Sequence, residues 1–109
     1  MIREMITKEN EFLIKFDNFN GTGWTNSIEK IIKEKIKPEK IEKQDIEVSW
    51  DYSEYEFNIQ KDKIKFIFYI DDEGSRYLLL EEKDITEENK QKLREWATII
   101  AEEVEKLKQ

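Results

Sequence analysis

Acidic and aromatic side chains alternate in one short segment, and they have the strongest chemical character in this sequence. Between positions 45 and 60 the chain carries five carboxylates and no basic residue. Residues 50–57 within that span read WDYSEYEF, so each tyrosine stands beside an acid. Carboxylates attract cationic groups, and tyrosine offers rigid contact area at a low entropic cost. The sequence therefore predicts a partner-binding surface formed by Asp51, Tyr52, Glu54, Tyr55 and Glu56.

A second interpretation of the same segment is structural. Trp50 and Phe57 would then be plain core residues, and the acids would be the solvent side of an alternating strand. Under this alternative Tyr52 and Tyr55, at the tip of the hairpin that residues 45–60 are predicted to form below, remain the part best suited to contact a partner.

Three other segments have the residue types of a functional site without the required spacing. Residues 20–24 precede a helix, where phosphates can bind, but they contain neither GxGxxG nor a Lys-Ser/Thr pair. Residues 71–74 resemble a calcium loop without its alternating oxygen ligands and distal glutamate. The carboxylates between 81 and 88 could perform acid–base chemistry only if their environments differed. We interpret the three segments as a loop, a hairpin tip and a solvated charge run.

The composition argues against catalysis. The chain has no histidine and no cysteine. The commonest general base, the histidine and cysteine members of nucleophilic triads, disulfides and zinc–thiolate sites are therefore absent. We expect a protein that is not an enzyme and that needs no metal or cofactor.

The charge distribution indicates the class of partner. The net charge is −7, and residues 45–109 alone carry −8. Such a field attracts cationic proteins and repels nucleic acid and anionic lipid. No run of about 18 apolar residues and no signal peptide is present. The 109 residues therefore predict a single cytoplasmic domain, 1–109, that binds neither nucleic acid nor membrane.

Local periodicity predicts the elements of the N-terminal third. Residues 11–17 alternate between apolar and polar side chains, which is typical of a strand. A loop with two glycines follows at 18–24. Residues 1–8 have only a small apolar face, which favours a short helix or a frayed arm. Residues 38–44 are highly charged, and we expect a linker or a short extra turn there.

Two helices are predicted from capping residues and apolar spacing. The first begins after Asn26, with Glu29 in capping-box position, and ends near Ile36 before Pro38. The second is capped by Thr86 and spans about 20 residues. Its apolar stripe consists of Leu93, Trp96, Ala97, Ile100, Val104 and Leu107.

The residues between the helices predict a four-stranded meander. A change in apolar phase after Ser53-Glu54 indicates a hairpin that pairs Tyr52 with Tyr55. The same register pairs Trp50 with Phe57 and Val48 with Ile59. A turn at 61–63 then pairs Ile59 with Phe66 and Phe57 with Phe68, and a turn at 71–76 leads to the last strand, Tyr77–Leu80.

These elements predict an α+β fold with the order β-α-β-β-β-β-α. The sheet is mostly antiparallel, and the long C-terminal helix packs across one face. Ile67, Tyr69 and Leu79 are apolar residues on the opposite face. We expect that face to be covered by the first helix or by a second copy of the chain.

In size, charge sign and lack of catalytic residues, the whole chain resembles bacterial immunity proteins, which neutralise a cognate toxin, often a basic nuclease. The resemblance is one of class and rests on no signature motif. It implies stoichiometric inhibition by occlusion of a basic toxin or nuclease. The alternatives are a phage-encoded inhibitor of a host nuclease, a secretion chaperone, and a homodimeric structural or regulatory protein.

Overall fold

The computed structural model of this protein describes residues 2–19, 25–49, 52–70 and 74–108. The chain is α+β, as predicted, but its sheet has six strands rather than five. The elements in chain order are β1 (Ile2–Ile6), β2 (Phe12–Phe16), α1 (Thr25–Ile31), β3 (Lys40–Ser49), β4 (Tyr52–Lys61), β5 (Ile64–Ile70), β6 (Arg76–Leu80) and α2 (Glu87–Leu107). The segment Ile32–Ile36 continues α1 as a π-helix, and Glu82–Asp84 form a 3₁₀ turn.

The strands form one antiparallel sheet in the order β1-β2-β6-β5-β4-β3. The pairs Ile59–Phe66 and Phe57–Phe68 have the predicted register. Asp62 and Lys63 connect these two strands with positive φ angles of 53° and 66°, as in a type I′ turn. Consecutive strands from β3 to β6 therefore form a meander, and the N-terminal hairpin β1–β2 joins it beside β6.

Both helices pack on the same face of the sheet, and the core lies between the helices and that face. The alternating residues of β2 and β5, the isoleucines of α1 and the stripe of α2 form one buried cluster. The predicted stripe is confirmed as far as Val104, whereas Leu107 is 53% exposed at the last turn. Thr86 is the N-cap of α2, as predicted, and its hydroxyl accepts a bond from the Asn89 N–H. Among the described residues, no helix is long and apolar enough to cross a membrane.

The prediction for residues 1–8 is wrong, because this segment contains a strand. β1 pairs with β2 along its whole length, from Ile2 opposite Phe16 to Ile6 opposite Phe12. A weakly amphipathic segment has little preference of its own, and the backbone hydrogen bonds offered by β2 decide its conformation. Two ion pairs flank the strand, from Arg3 to Asp17 and from Arg94 to Glu4.

The first helix ends where predicted but begins earlier. Asn26 lies inside α1, so the prediction that it caps the helix is wrong. Its side chain is exposed, and an asparagine that faces solvent is compatible with the first turn of a helix. The helical path ends at Ile36, and Lys37 adopts a left-handed conformation with φ of 55° just before Pro38.

Residues 38–44 are not a linker, because β3 begins at Lys40. This strand is an edge of the sheet, where charged side chains are common because they discourage pairing with other chains. Because its first residues are polar and charged, apolar alternation does not indicate a strand at this point of the sequence. The ladder to β4 starts with Lys40 opposite Gln60 and Ile41 opposite Ile59.

The predicted register of the first hairpin is also wrong. Tyr55 lies opposite Asp45, Ser53 opposite Glu47, and Tyr52 opposite Ser49. The strands are thus joined after Ser49 rather than at Ser53-Glu54. A register shift between Glu47 and Ser49 accompanies the change in apolar phase that suggested the later turn. Trp50 lies outside the described residues.

Arg76 was expected in a turn, yet it is the first residue of β6 and is completely buried. It lies in register with Ile70 on one side and Phe16 on the other, on the core face of the sheet. Its guanidinium lies 5.3 Å from the centroid of the Phe19 ring, a cation–π geometry.

Candidate protein-binding surfaces

The sheet has a helix-free face, which is the side opposite α1 and α2. Because side chains alternate along each strand, this face carries the residues between those that enter the core. One row across it consists of Met5, Leu13, Leu79 and Ile67, which are aligned by the register of four adjacent strands. The prediction that α1 covers Ile67, Tyr69 and Leu79 is therefore wrong, because α1 packs on the other side of the sheet.

The centre of this apolar row is shielded although neither helix covers it. Leu13 is 4% exposed and Leu79 is 8% exposed, and neither belongs to the core cluster. Ile67 is half-buried, and Met5 at the sheet edge is 47% exposed. The row therefore offers its remaining apolar area at Ile67 and Met5.

A second row runs parallel to the first and contains a pair of tyrosines. Tyr77 of β6 and Tyr69 of β5 are cross-strand neighbours, and their rings stack with centroids 4.9 Å apart and planes at 22°. Lys15 follows next to Tyr77, and Glu56 follows next to Tyr69. The aromatic centre of the face is therefore flanked by a cation on one side and an anion on the other.

A shallow polar groove of about 230 Å³ lies between the apolar row, which Asn58 and Glu42 continue beyond Ile67, and the next row, which contains Lys65 and Gln60. Its lining includes Lys40, Glu42, Asn58, Gln60, Lys65 and Glu81. This volume is below the range of roughly 300–1,000 Å³ that is common for small-molecule sites, and the lining is mainly polar. We therefore treat it as part of a broad surface and not as a ligand pocket.

The acidic segment forms a two-stranded ribbon at one end of the sheet. The β4–β5 ladder ends with Glu56 opposite Tyr69. Beyond that pair, Asp45–Ser49 of β3 and Tyr52–Tyr55 of β4 are paired only with one another in the described part of the chain. We call residues 45–49 and 52–55 the acidic ribbon.

The structure brings most of the predicted partner-binding residues to this end of the molecule. Tyr52, Glu54 and Tyr55 lie in the ribbon strand of β4, and Glu56 stands at its base on the helix-free face. Asp51 lies outside the described residues. Sequence reasoning did not associate the ribbon with Tyr69 and Tyr77. The predicted Phe57–Phe68 pairing already implies that Glu56 lies opposite Tyr69, but Tyr77 joins this row only through the pairing of β5 with β6.

Of the three other segments considered for chemistry, the structure describes the carboxylates between 81 and 88. Glu81, Glu82 and Asp84 occupy the turn before α2, and both glutamates are exposed. No group of three or more carboxylates in the described ranges is arranged to hold a metal ion. The residues 71–73 and 20–24 of the two loop motifs lie outside the described part.

Within the part of the chain that the structure describes, two carboxyl groups have shifted pKa values, and both shifts have a structural cause. The guanidinium of Arg3 donates two hydrogen bonds to Asp17, at 2.8 and 2.9 Å, and lowers the pKa of that carboxyl group. The amide of Asn18 donates to Glu105 and lowers its pKa, and nearby Lys108 adds to the effect. Both groups join elements of the fold at the surface, so these shifts indicate structural contacts rather than a reactive site.

Comparisons with protein-family models, curated proteins and solved structures give no match to this chain.

Proposed function

We propose that this protein is a stoichiometric inhibitor of the immunity type, which binds and occludes a basic toxin or nuclease in the bacterial cytoplasm. The proposal rests above all on the acidic ribbon. Residues 45–60 carry five carboxylates and no base. Within this segment the ribbon strands 45–49 and 52–55 continue beyond the last β4–β5 pair and are paired with each other. Inhibition by occlusion requires no catalytic group, metal or cofactor.

The charge distribution supports a cationic partner. Residues 1–44 carry a net charge of +1, whereas residues 45–109 carry −8. A concentrated negative field increases the rate of encounter with a positively charged groove and suppresses encounters with anionic surfaces. A nuclease has such a groove because it must bind phosphates. The ribbon is therefore suited to compete with nucleic acid for that groove.

The residue types in this acidic segment suggest two different roles in the interface, one for the tyrosines and one for the carboxylates. Tyrosines are common binding anchors because they bury a large area with few rotatable bonds, whereas charges at the rim mainly govern association. We assign the anchor role to Tyr52 and Tyr55 and the steering role to Asp51, Glu54 and Glu56.

The experiment compares the partners that tagged variants capture from a native lysate, identified by mass spectrometry. The ribbon variant carries Asp51→Lys, Glu54→Lys and Glu56→Lys. The matched control carries Glu34→Lys, Glu95→Lys and Glu102→Lys, which cause the same change in net charge at exposed positions on the two helical segments. The partner should be captured by the wild type and the control, and lost by the ribbon variant.

The purified partner then decides whether binding inhibits. We expect its toxic or nuclease activity to disappear at an equimolar ratio of wild-type protein and to persist with the ribbon variant. If both triple variants lose the partner equally, the interaction depends on the net charge of the protein and not on the position of the ribbon carboxylates. A partner that keeps full activity when saturated would exclude the inhibitor function.

A further inference from the structure

The central residues of the helix-free face are matched across its midline, whereas the apolar row has Leu13 on one side of the midline and Asn58 on the other. β6 and β5 are the two central strands of six, with two strands on either side. The stacked pair Tyr77–Tyr69 and the apolar pair Leu79–Ile67 lie across this midline. Lys15 and Glu56 stand on the two strands next to it, one on each side and in the same row.

We propose that a second copy of this chain covers the helix-free face, related to the first by a two-fold axis between β6 and β5 and parallel to the strands. Rotation about that axis places β6 over the partner's β5 and β2 over the partner's β4, and it leaves positions along the strands unchanged. Stacked sheets normally pack with their strands within about 30° of parallel, so this arrangement is an ordinary sandwich. The inference goes beyond the inhibitor function and does not depend on it.

The centre of the proposed interface is apolar in both copies. Leu79 lies over the partner's Ile67, and Tyr77 lies over the partner's Tyr69. Ile67, Tyr69 and Tyr77 are half-buried in the single chain, so a second sheet can remove more of their apolar area from water. The interface thus has the apolar core and charged rim that are typical of protein–protein contacts.

The flanking charges favour a second copy over another occupant. The two-fold axis places Lys15 opposite the partner's Glu56 and, reciprocally, Glu56 opposite the partner's Lys15. Within one chain these side chains are three strands apart, about 14 Å, which is too far for an ion pair. Neither makes an ion pair or side-chain hydrogen bond with the described residues. Lys15 contributes to the field at Asp17 within its own chain, but Lys15 and Glu56 can meet each other only between copies.

The dimer leaves the acidic ribbons available to a partner. Positions along the strands are preserved by the rotation, so both ribbons extend from the same end. They leave from opposite edges of the sandwich, because β3 and β4 of one copy lie over β1 and β2 of the other. A dimer can therefore present two ribbons to a basic partner.

Sedimentation equilibrium of the full chain tests the proposal. We expect the wild-type protein to associate reversibly as a dimer. Lys15→Glu and Glu56→Lys each convert two attractive contacts into two repulsive contacts, so each should raise the dimer Kd by about tenfold or more. An equimolar mixture of the K15E chain and the E56K chain should associate at least as tightly as the wild type, because both cross-interface pairs are then attractive.

Two controls establish that the effect depends on location. Lys30→Glu and Glu95→Lys make the same charge changes at exposed positions on α1 and α2, and they should leave the dimer Kd unchanged.

Carbodiimide treatment of the wild type gives a second readout that needs no variant. It should yield a covalent dimer whose digest contains a Lys15–Glu56 cross-link, which a single chain cannot form.

A wild-type protein that remains monomeric at millimolar concentration would overturn the proposal. A dimer that persists unchanged in K15E and E56K, or a mixture of the two that associates no better than either alone, would place the contact on another surface. The K15E chain leaves every carboxylate of residues 45–60 intact, whereas Glu56→Lys alters both the dimer contact and the proposed inhibitor surface. Partner capture by the K15E chain therefore separates loss of the dimer from loss of inhibitor binding.

Discussion

The ring of Phe66 stacks on the indole of Trp96, with centroids 4.7 Å apart and planes at 19°. Phe66 belongs to the central strand β5 and Trp96 to the middle of α2, so this contact fixes the long helix across the sheet. Trp96 is only 6% exposed, which confirms its prediction as a core residue. A contact in this position joins two elements that are distant in sequence and central in the core.

Replacement of Trp96 by alanine should destabilise the protein by about 3–5 kcal/mol, because it removes a large buried ring and leaves a cavity against Phe66. Denaturant unfolding monitored by circular dichroism measures the loss. Glu95→Ala, at the exposed neighbouring position, is the control and should change stability by less than about 0.5 kcal/mol. A loss under about 1 kcal/mol for the tryptophan variant would contradict its role in the core.

The turn between β4 and β5 should be improved by glycine. Lys63 has a φ of 66°, a left-handed conformation that costs a residue with a Cβ roughly 1–2 kcal/mol and costs glycine almost nothing. Lys63→Gly loses part of this gain through the greater freedom of the unfolded chain, so we expect a net stabilisation of about 0.5–1 kcal/mol. The control is Lys65→Gly in the adjacent strand, which should destabilise. Thermal and denaturant unfolding check both signs.

The contact between Asn18 and Glu105 should give a defined dependence on pH. The Asn18 amide donates at 2.9 Å to the Glu105 carboxylate and holds its pKa below the ordinary 4.5. A lowered pKa means that the folded state favours the ionised form. The resulting stability is therefore complete above the unfolded pKa and is lost as the pH falls through the folded pKa.

An NMR titration of the side-chain carboxyl carbons measures this shift directly. Asn18→Ala should move the pKa of Glu105 back towards 4.5, and the difference in stability between wild type and variant should shrink as the pH falls below about 4.5. The pKa of Asp17 provides the internal control, because its shift comes mainly from Arg3. An unchanged Glu105 titration would show that the hydrogen bond is not maintained in solution.

Association with the captured partner should depend strongly on salt. The Debye length falls from about 10 Å at 0.1 M to about 3 Å at 1 M, which shortens the reach of the −8 region. We expect the association rate constant to fall steeply across that range in stopped-flow or surface-binding measurements. The triple change of Asp51, Glu54 and Glu56 to lysine should slow association at low salt. A rate constant that is flat with salt would exclude electrostatic steering.

The tyrosines should determine how long the complex lasts. Tyr52→Ala or Tyr55→Ala should weaken binding by about 2 kcal/mol or more, mainly through faster dissociation, as is typical of buried anchors. Any single change of Asp51, Glu54 or Glu56 to alanine should cost less. The circular dichroism spectrum of each variant must match the wild type. If the tyrosine variants fold and bind as tightly as the wild type, the anchor lies elsewhere.

The elements with strong local signals could be predicted from the sequence. The alternation of β2 and β5, the capped stripe of α2 and the end of the first helical segment at Ile36 all reflect interactions among neighbours in the chain. Antiparallel strands joined by a short turn leave few choices of register, so the β4–β5 pairing also followed. These features depend on spacing of 2 or 3.6 residues, which a sequence displays directly.

The mispredicted elements have weak or polar local patterns. β1 and the first part of β3 are edge strands, and their conformation depends on backbone hydrogen bonds from a neighbour rather than on apolar alternation. Arg76 was assigned to the turn before the last strand, yet its register beside Ile70 and Phe16 places it in the core, where arginine is rarely found. The conformation and burial of such residues can be predicted only when the strand order is known.

The sequence by itself determined the acidic ribbon residues, the absence of histidine and cysteine, and which face of each strong element is apolar. Only the tertiary structure decided that both helices share one side of the sheet and that Lys15, Tyr77, Tyr69 and Glu56 form a single row. The physical reason is that backbone hydrogen bonding between strands is almost independent of side-chain identity. Strand order is therefore selected by the packing of the whole core. The strand order in turn determines which residues become neighbours on the helix-free face.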